Sequence, residues 1–189
     1  MESRVERKPA AAPPLEAKPV KVRSHHLIHR DVGSAKGQIE GAWIKDLALW
    51  PDDRGHFAEI FRDDEKVVAN FQVKQSSVTV TRPGVIKAFH FHLEQDDVFV
   101  PLKGTIRIAL VDCRVASPTY GVANSIFAGE LYPKAVRIPR GVAHGYEVLP
   151  GGDLLMVYYT DKHYDPKDEY RFRHDDPAIG FTWWGIENR

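Results

Sequence analysis

Gly84-Val85-Ile86-Lys87-Ala88-Phe89-His90-Phe91-His92, followed by Asp97 and Gly104, reads as a strand carrying two histidines on one face. Successive side chains of an extended strand leave opposite faces, so residues two apart point the same way, and Ile86 and Ala88 share the face of His90 and His92. Asp97 comes five residues after His92, and Thr105 to Val111, beyond Gly104, reads as another strand. A hairpin through this stretch would bring Asp97 near the histidines.

Outward from this strand, the chain keeps the same character. Short apolar or alternating runs are punctuated by Pro, Gly and Asp, and no window sustains helical periodicity. The expected strands are Ala42 to Leu49, His56 to Phe61, Val73 to Thr81, Val85 to His92, Val98 to Leu102, Thr105 to Val111, Ala135 to Ile138 and Leu154 to Thr160. Only Asp63 to Asn70 invites a helix. Turn signals at Pro51 to Gly55, Pro83-Gly84, Lys103-Gly104, Pro139 to Gly141 and Pro150 to Gly152 are closely spaced, as in a sandwich or barrel. The fold class expected is therefore all-β, with at most a few short helices.

With 189 residues and 43% apolar composition, the chain can bury one good core. Residues 25–189 are expected to form that domain. Residues 1–24, with Pro9, Pro13, Pro14 and Pro19 among alanines and charges, read as a disordered tail. This segment has no apolar run for a signal peptide or membrane span, and Glu2, Glu6 and Glu16 are unlike the acid-poor composition of a transit peptide. Acids and bases balance at 26 each, so the overall charge suggests no nucleic-acid or membrane partner. The lone Cys113 excludes an internal disulfide and a thiolate metal cluster, which suits a reducing cytoplasm. His25, His26 and His29 lie at the edge of the tail and are given no role.

The spacing from Gly84 to Gly104 resembles the first motif of the cupin superfamily, G-x5-H-x-H-x4-E-x6-G, with Asp97 in the place of Glu. Pro139, Gly141 and His144 resemble the core of its second motif, P-x-G-x2-H. This resemblance implies a jelly-roll fold. His90, His92, Asp97 and His144 would together offer three imidazoles and a carboxylate, a set suited to zinc, iron, nickel or manganese. The same residues can instead be hydrogen-bonding groups in a metal-free pocket, with Asp97 at a turn. The sequence leaves both readings open.

From about Trp43 to Trp184 the chain resembles the dTDP-4-dehydrorhamnose 3,5-epimerase family more specifically. Residues 52 to 59, Asp-Asp-Arg-Gly-His-Phe-Ala-Glu, are similar to D-x-R-G-x-F-x-E. The resemblance implies that Arg54 meets a nucleotide diphosphate and that Phe57 and Glu59 meet the base. Gln75 falls where the family has a ligand-contacting Gln, and His144 belongs with the substrate-binding residues of P-x-G-x-A-H-G. Gly84 to His90 resembles G-V-L-R-G-L-H, whose His is the catalytic base, so His90 inherits that role. Tyr164, Pro166 and Glu169 resemble Y-x-P-x2-E, whose Tyr is the general acid. Asp112, Arg114, Ser117, Pro118, Thr119 and Gly121 resemble D-x-R-x2-S-P-T-x-G, and Asp176 to Trp183 resembles D-P-x-x-G-I-x-W.

The departures fall among the chemical groups. A family Arg is Lys87, which keeps the charge without the planar fork, a family Gln is His92, and an active-site Lys aligns with Asp97, reversing its sign. The resemblance also implies an Asp partner for the base from a C-terminal element, and the sequence as far as Arg189 has no residue matching it. In a 4-keto sugar the carbonyl acidifies both neighbouring C–H bonds, so a base can remove one proton and an acid can return it to the other face. His90 suits the first task and Tyr164 the second, while Lys87 can face the enolate oxygen. An Asp97 bound to metal would belong to a net positive site instead of repelling that oxygen.

The function expected first is epimerisation or isomerisation of a nucleotide-linked 4-keto-6-deoxy sugar, with no cofactor required. A metal-dependent cupin enzyme of another reaction type and a non-catalytic sugar-binding relative are the alternatives. The resemblance also implies a homodimer with a nucleotide sugar as its small-molecule partner, and exposed strand edges give a physical reason for pairing.

Overall fold

The computed structural model describes residues 15–18, 24–27, 38–65, 68 and 70–184. Strands are numbered in chain order. One sheet has six strands in the order β1 (Ser24–Leu27), β9 (Val122–Gly129), β8 (Thr105–Asp112), β11 (Val142–Val148), β6 (Ile86–Phe91) and β13 (Tyr170–Arg171). The other has five, in the order β2 (Trp43–Asp46), β10 (Lys134–Ile138), β7 (Asp97–Lys103), β12 (Leu154–Thr160) and β5 (Gln75–Thr81). All pairings in these sheets are antiparallel except β1 with β9. This is the expected all-β jelly roll.

The core forms because β8 alternates between two buried environments. Ile106, Ile108 and Leu110 leave one face and pack between the sheets with Ile44, Val136, Ile138 and Met156. Ala109 and Val111 leave the other and meet Phe89, Ile179 and Phe181. Because the C-terminal segment covers that second face, β8 and β11 are buried at nearly every position and lose the polar–apolar alternation of a half-exposed strand. This is why β11, with His144, Gly145 and Glu147 inside it, escapes a reading based on alternation. Strand β9, interrupted by Asn124 and Ser125, escapes it too.

Strand β5 inverts the usual pattern. Val78 and Val80 are both 63% exposed, while Gln75 and Thr79 turn inward to line a cavity. The expected strands near residues 42–61 are shorter: β2 ends at Asp46, and Trp50–Asp52 (β3) and Gly55–Phe57 (β4) form a separate hairpin. Where a helix was expected from Asp63 to Asn70, the described positions are turns and one 3-10 residue, Val68; 66, 67 and 69 lie outside the described residues. A 3-10 turn at Pro166–Asp168, capped by Asp165, is present instead.

The tail expected over 1–24 falls mostly outside the described residues. Within it, Ala17 bridges to Arg114, Lys18 donates its amide to Cys113 and Glu16 accepts from Val115, so residues 15–18 are laid along the domain. Ser24 already belongs to β1. Among the described residues no helix is long and apolar enough to cross a membrane.

Candidate active site

A cavity of about 650 Å³ opens between the sheets, within the range that holds a small organic ligand. Its floor is built by β6 and β11. His144 is the register partner of His90, so the two imidazoles share a sheet face with ring centroids 4.0 Å apart. The register shifts between His144 and Tyr146, where Gly145 lies against Ala88 so closely that a Cβ would collide with the Ala88 side chain and backbone. Glycine at 145 thus sets the approach of the two strands that carry the histidines.

Asp97 reaches the histidines by a different route from the expected hairpin. It opens β7 in the five-stranded sheet, while His90 and His144 stand on the six-stranded one, so the carboxylate crosses the sandwich. Asp97 Oδ2 lies 3.1 Å from His144 Nε2 and 3.8 Å from His92 Nε2, and Oδ1 accepts from Gln95 Nε2 at 2.7 Å. The adjoining Asp96 fixes this corner by accepting from the side chains of Arg137 and Arg140 and the Arg140 amide. Ligand atoms of His90, His92, Asp97 and His144 all lie within 4.8 Å of one another.

Burial, reinforced by the neighbouring His144, His92 and Arg171, holds His90 well below the usual imidazole range and keeps its ring neutral. Tyr164 lines the same cavity and is exposed at its mouth. Its amide donates to Gln75 Oε1 at 3.0 Å and its hydroxyl to Glu169 Oε2 at 2.9 Å. That hydrogen bond to Glu169 raises the phenol above its ordinary value, so Tyr164 keeps its proton at neutral pH. Lys87 lines the wall and donates to Thr79 Oγ1 at 3.2 Å.

Four expected contacts stand elsewhere. His144 is 2% exposed and lies behind the cavity surface, touching the other histidines and Asp97 but not lining the cavity. Arg54, Phe57 and Glu59 belong to the β3–β4 hairpin and its exit, which pairs with neither large sheet. Arg54 is tied to Asp52, Phe57 packs on Trp50, and Glu59 faces Arg62, so none lines the cavity of its own chain.

Other residues enter unannounced. Asp168 accepts from His92 through its carbonyl and from the Leu93 and Glu94 amides through its carboxylate. Arg171 is the register partner of His90 on β13 and lines the cavity, bonded to Glu169. The alternation Glu169, Arg171, Arg173 in an extended segment was the available signal, since it sets three charges on one face.

The family model described as dTDP-4-dehydrorhamnose 3,5-epimerase matches residues 36–189. The chain belongs to this family. It is 44% identical over 147 residues to the spore coat polysaccharide biosynthesis protein SpsL of Bacillus subtilis, covering 77% of this chain and 96% of that one. It is 36% identical over 148 residues to the probable low-salt glycan biosynthesis epimerase Agl13 of Haloferax volcanii, covering 77% and 94%. Among solved structures, ChmJ, a 3'-monoepimerase from Streptomyces bikiniensis in complex with dTDP-quinovose, superposes with a TM-score of 0.73 at 28% identity, covering 80% of this chain and 79% of that one.

Proposed function

We propose that this family member epimerises a nucleotide-linked 4-keto-6-deoxy sugar, with His90 as the base and Tyr164 as the acid. The observation that carries this reading is a neutral, half-buried imidazole and a protonated phenol lining one cavity. His90 removes a proton from a carbon beside the ketone, electrons move onto the ketone oxygen, and Tyr164 returns a proton to the opposite face. Lys87 and Arg171 line the same wall and supply positive charge to the enolate and the diphosphate. The complex of ChmJ with dTDP-quinovose supports a thymidine nucleotide sugar as the ligand class.

Arg54, Phe57 and Glu59 are assigned to the cavity of a second copy, because they are held away from their own. A homodimer is supported by the outward apolar face of edge strand β5, where Val78 and Val80 stand in solvent. We place the protein in the cytoplasm, consistent with a single buried, unpaired thiol at Cys113, which burial pushes up to about 12.

The test is deuterium exchange. In heavy water, dTDP-4-keto-6-deoxyglucose should gain deuterium at one or both carbons flanking the ketone, and His90→Asn should slow this at least about a hundredfold while still binding dTDP. Binding without exchange in the wild type would turn the reading toward a sugar-binding relative. Neither binding nor exchange would turn it toward another cupin chemistry.

A further inference from the structure

We infer that Phe99, Tyr146 and Met156 form the end of the cavity that receives the C6 methyl of the sugar, and so set a preference for 6-deoxy over 6-hydroxy sugars. The inference rests on the epimerase reading and names the residues that select its substrate. It starts from strand β12. Met156, Tyr158 and Thr160 leave one face of that strand and all line the cavity, at steps of roughly 7 Å. Thr160 is the register partner of Asp97, Tyr158 of Phe99, and Met156 of Pro101. The lining therefore changes along the cavity, from Gln95, Asp97 and Thr160 at one end to Phe99, Tyr146 and Met156 at the other.

The two ends differ in what they offer a ligand. Phe99, Tyr146 and Met156 are buried and belong to the apolar cluster between the sheets. The Phe99 ring lies 6.5 Å from Tyr146 and 6.0 Å from Tyr158, edge to face with both. The hydroxyls nearby are already engaged. Tyr146 Oη and Thr81 Oγ1 share a hydrogen bond at 3.0 Å, and Thr79 Oγ1, beside Met156 in register, accepts from the exposed Lys87 Nζ. A sugar hydroxyl placed among these groups would give up its water partners with little in return, whereas a methyl group gains by leaving water. At the other end Gln95, Asp97 and Thr160 supply buried polar groups.

The geometry of the sugar selects between the ends. In a hexopyranose C1 and C5 both bond the ring oxygen, C6 hangs on C5, and C3 with its hydroxyl lies across the ring. Lys87 is the register partner of Tyr146, so it brings positive charge for the diphosphate on C1 to the side of the cavity that the apolar end occupies. Holding C1 on that side puts C6 there too, against Phe99 and Met156, and turns the C3 hydroxyl toward Gln95 and Thr160. The C4 ketone and its flanking carbons then lie over His90, whose ring is 5.6 Å from His92 and 4.0 Å from His144, itself 5.5 Å from Phe99.

The test is calorimetric binding of dTDP-6-deoxyglucose, dTDP-glucose and dTDP-xylose to the full-length protein, since these carry a methyl, a hydroxymethyl and a hydrogen on C5 and are otherwise alike. Wild type should bind the 6-deoxy sugar about tenfold or more tightly than dTDP-glucose. It should bind it about threefold or more tightly than dTDP-xylose, the difference expected from one buried methyl. Met156→Gln and Phe99→Tyr each bring a hydrogen-bonding group to the apolar end and should narrow the glucose ratio to within about threefold, with folding checked by circular dichroism and thermal melting. A ratio of affinities cancels any general loss of binding, and the wild-type comparison stands whether or not either variant folds. Equal affinity of the wild type for all three overturns the methyl site and leaves the nucleotide-sugar reading in place. An unchanged ratio in both folded variants overturns the assignment to these residues. Binding of none of the three overturns the nucleotide-sugar reading and the methyl site with it.

Discussion

Truncating Glu147 to alanine should cost this protein a large share of its stability. Arg107 Nε and Glu147 Oε1 form an ion pair at 2.6 Å, with the two side chains 2% and 0% exposed. Burial lowers the guanidinium and raises the carboxyl from their ordinary values despite their attraction, so each group is the other's charge partner inside the fold. Arg107 also donates to the Thr182 carbonyl at 2.6 Å and lies over the Phe181, Trp183 and Trp184 rings at 5.2, 5.7 and 4.8 Å, while Glu147 accepts from the Trp184 amide. In Glu147→Ala the guanidinium is left buried and unpaired, which costs about 3–5 kcal/mol. For a domain of this size, at roughly 2–4 °C per kcal/mol, the melting temperature should fall by about 6–20 °C.

Thermal melts followed by near-ultraviolet circular dichroism, with urea titrations at 25 °C, read this directly. The double variant Arg107→Met with Glu147→Leu removes both charges and should recover most of the loss, because no orphaned ion remains. A single-variant loss below about 1 kcal/mol, or a double variant as unstable as the single, would refute the reasoning from an unpaired buried charge. The same aromatic segment packs on Phe89, next to His90 in the chain, with Phe181 at 5.8 Å and Trp183 at 5.4 Å, so the pair also steadies the cavity floor.

Further outcomes are expected at the strand edge and in acid. Lysine at both 78 and 80 should convert a dimer to monomer in light scattering without lowering the melting temperature of the protomer by more than about 1 kcal/mol equivalent, since exposed substitutions are usually mild; a wild type that is already monomeric sinks the dimer. Burial alone would raise the Asp112 carboxyl, but hydrogen bonds from Arg114, Ser117 and Thr119 outweigh it and hold the folded pKa below the ordinary value. A carboxyl lowered on folding contributes stability above its unfolded pKa and loses it as pH falls through the folded one. Urea midpoints should therefore decline below about pH 4, and less steeply in Asp112→Asn, with an equal slope in both proteins counting against this role.

Much of this was legible in the chain. Strand face follows directly from period-2 spacing, so His90 and His92 were bound to point together, and the recurrent Pro and Gly turns announced a sheet protein. The motif around Asp112 was equally local: Arg114, Ser117 and Thr119 all close on one carboxylate within seven residues. Such arrangements are set by backbone geometry over short distances, which spacing encodes.

Other features depended on which strands became neighbours. Asp97 meets the histidines from the opposite sheet, Arg171 faces His90 across β13 and β6, and His144 sits behind the cavity surface. Arg54 and Phe57 share a motif whose resemblance implied ligand contact, yet a hairpin detached from both sheets holds them away from their own cavity. The Nδ1 atoms of His92 and His144 meet the carbonyls of Asp168 and Val142, the first of them 76 residues away in sequence. Sequence alone determined the fold class and the residue types of the site, because alternation and turn chemistry act locally. Only the tertiary structure decided which donors and acceptors converge, because that depends on the packing of two sheets across a shared cavity.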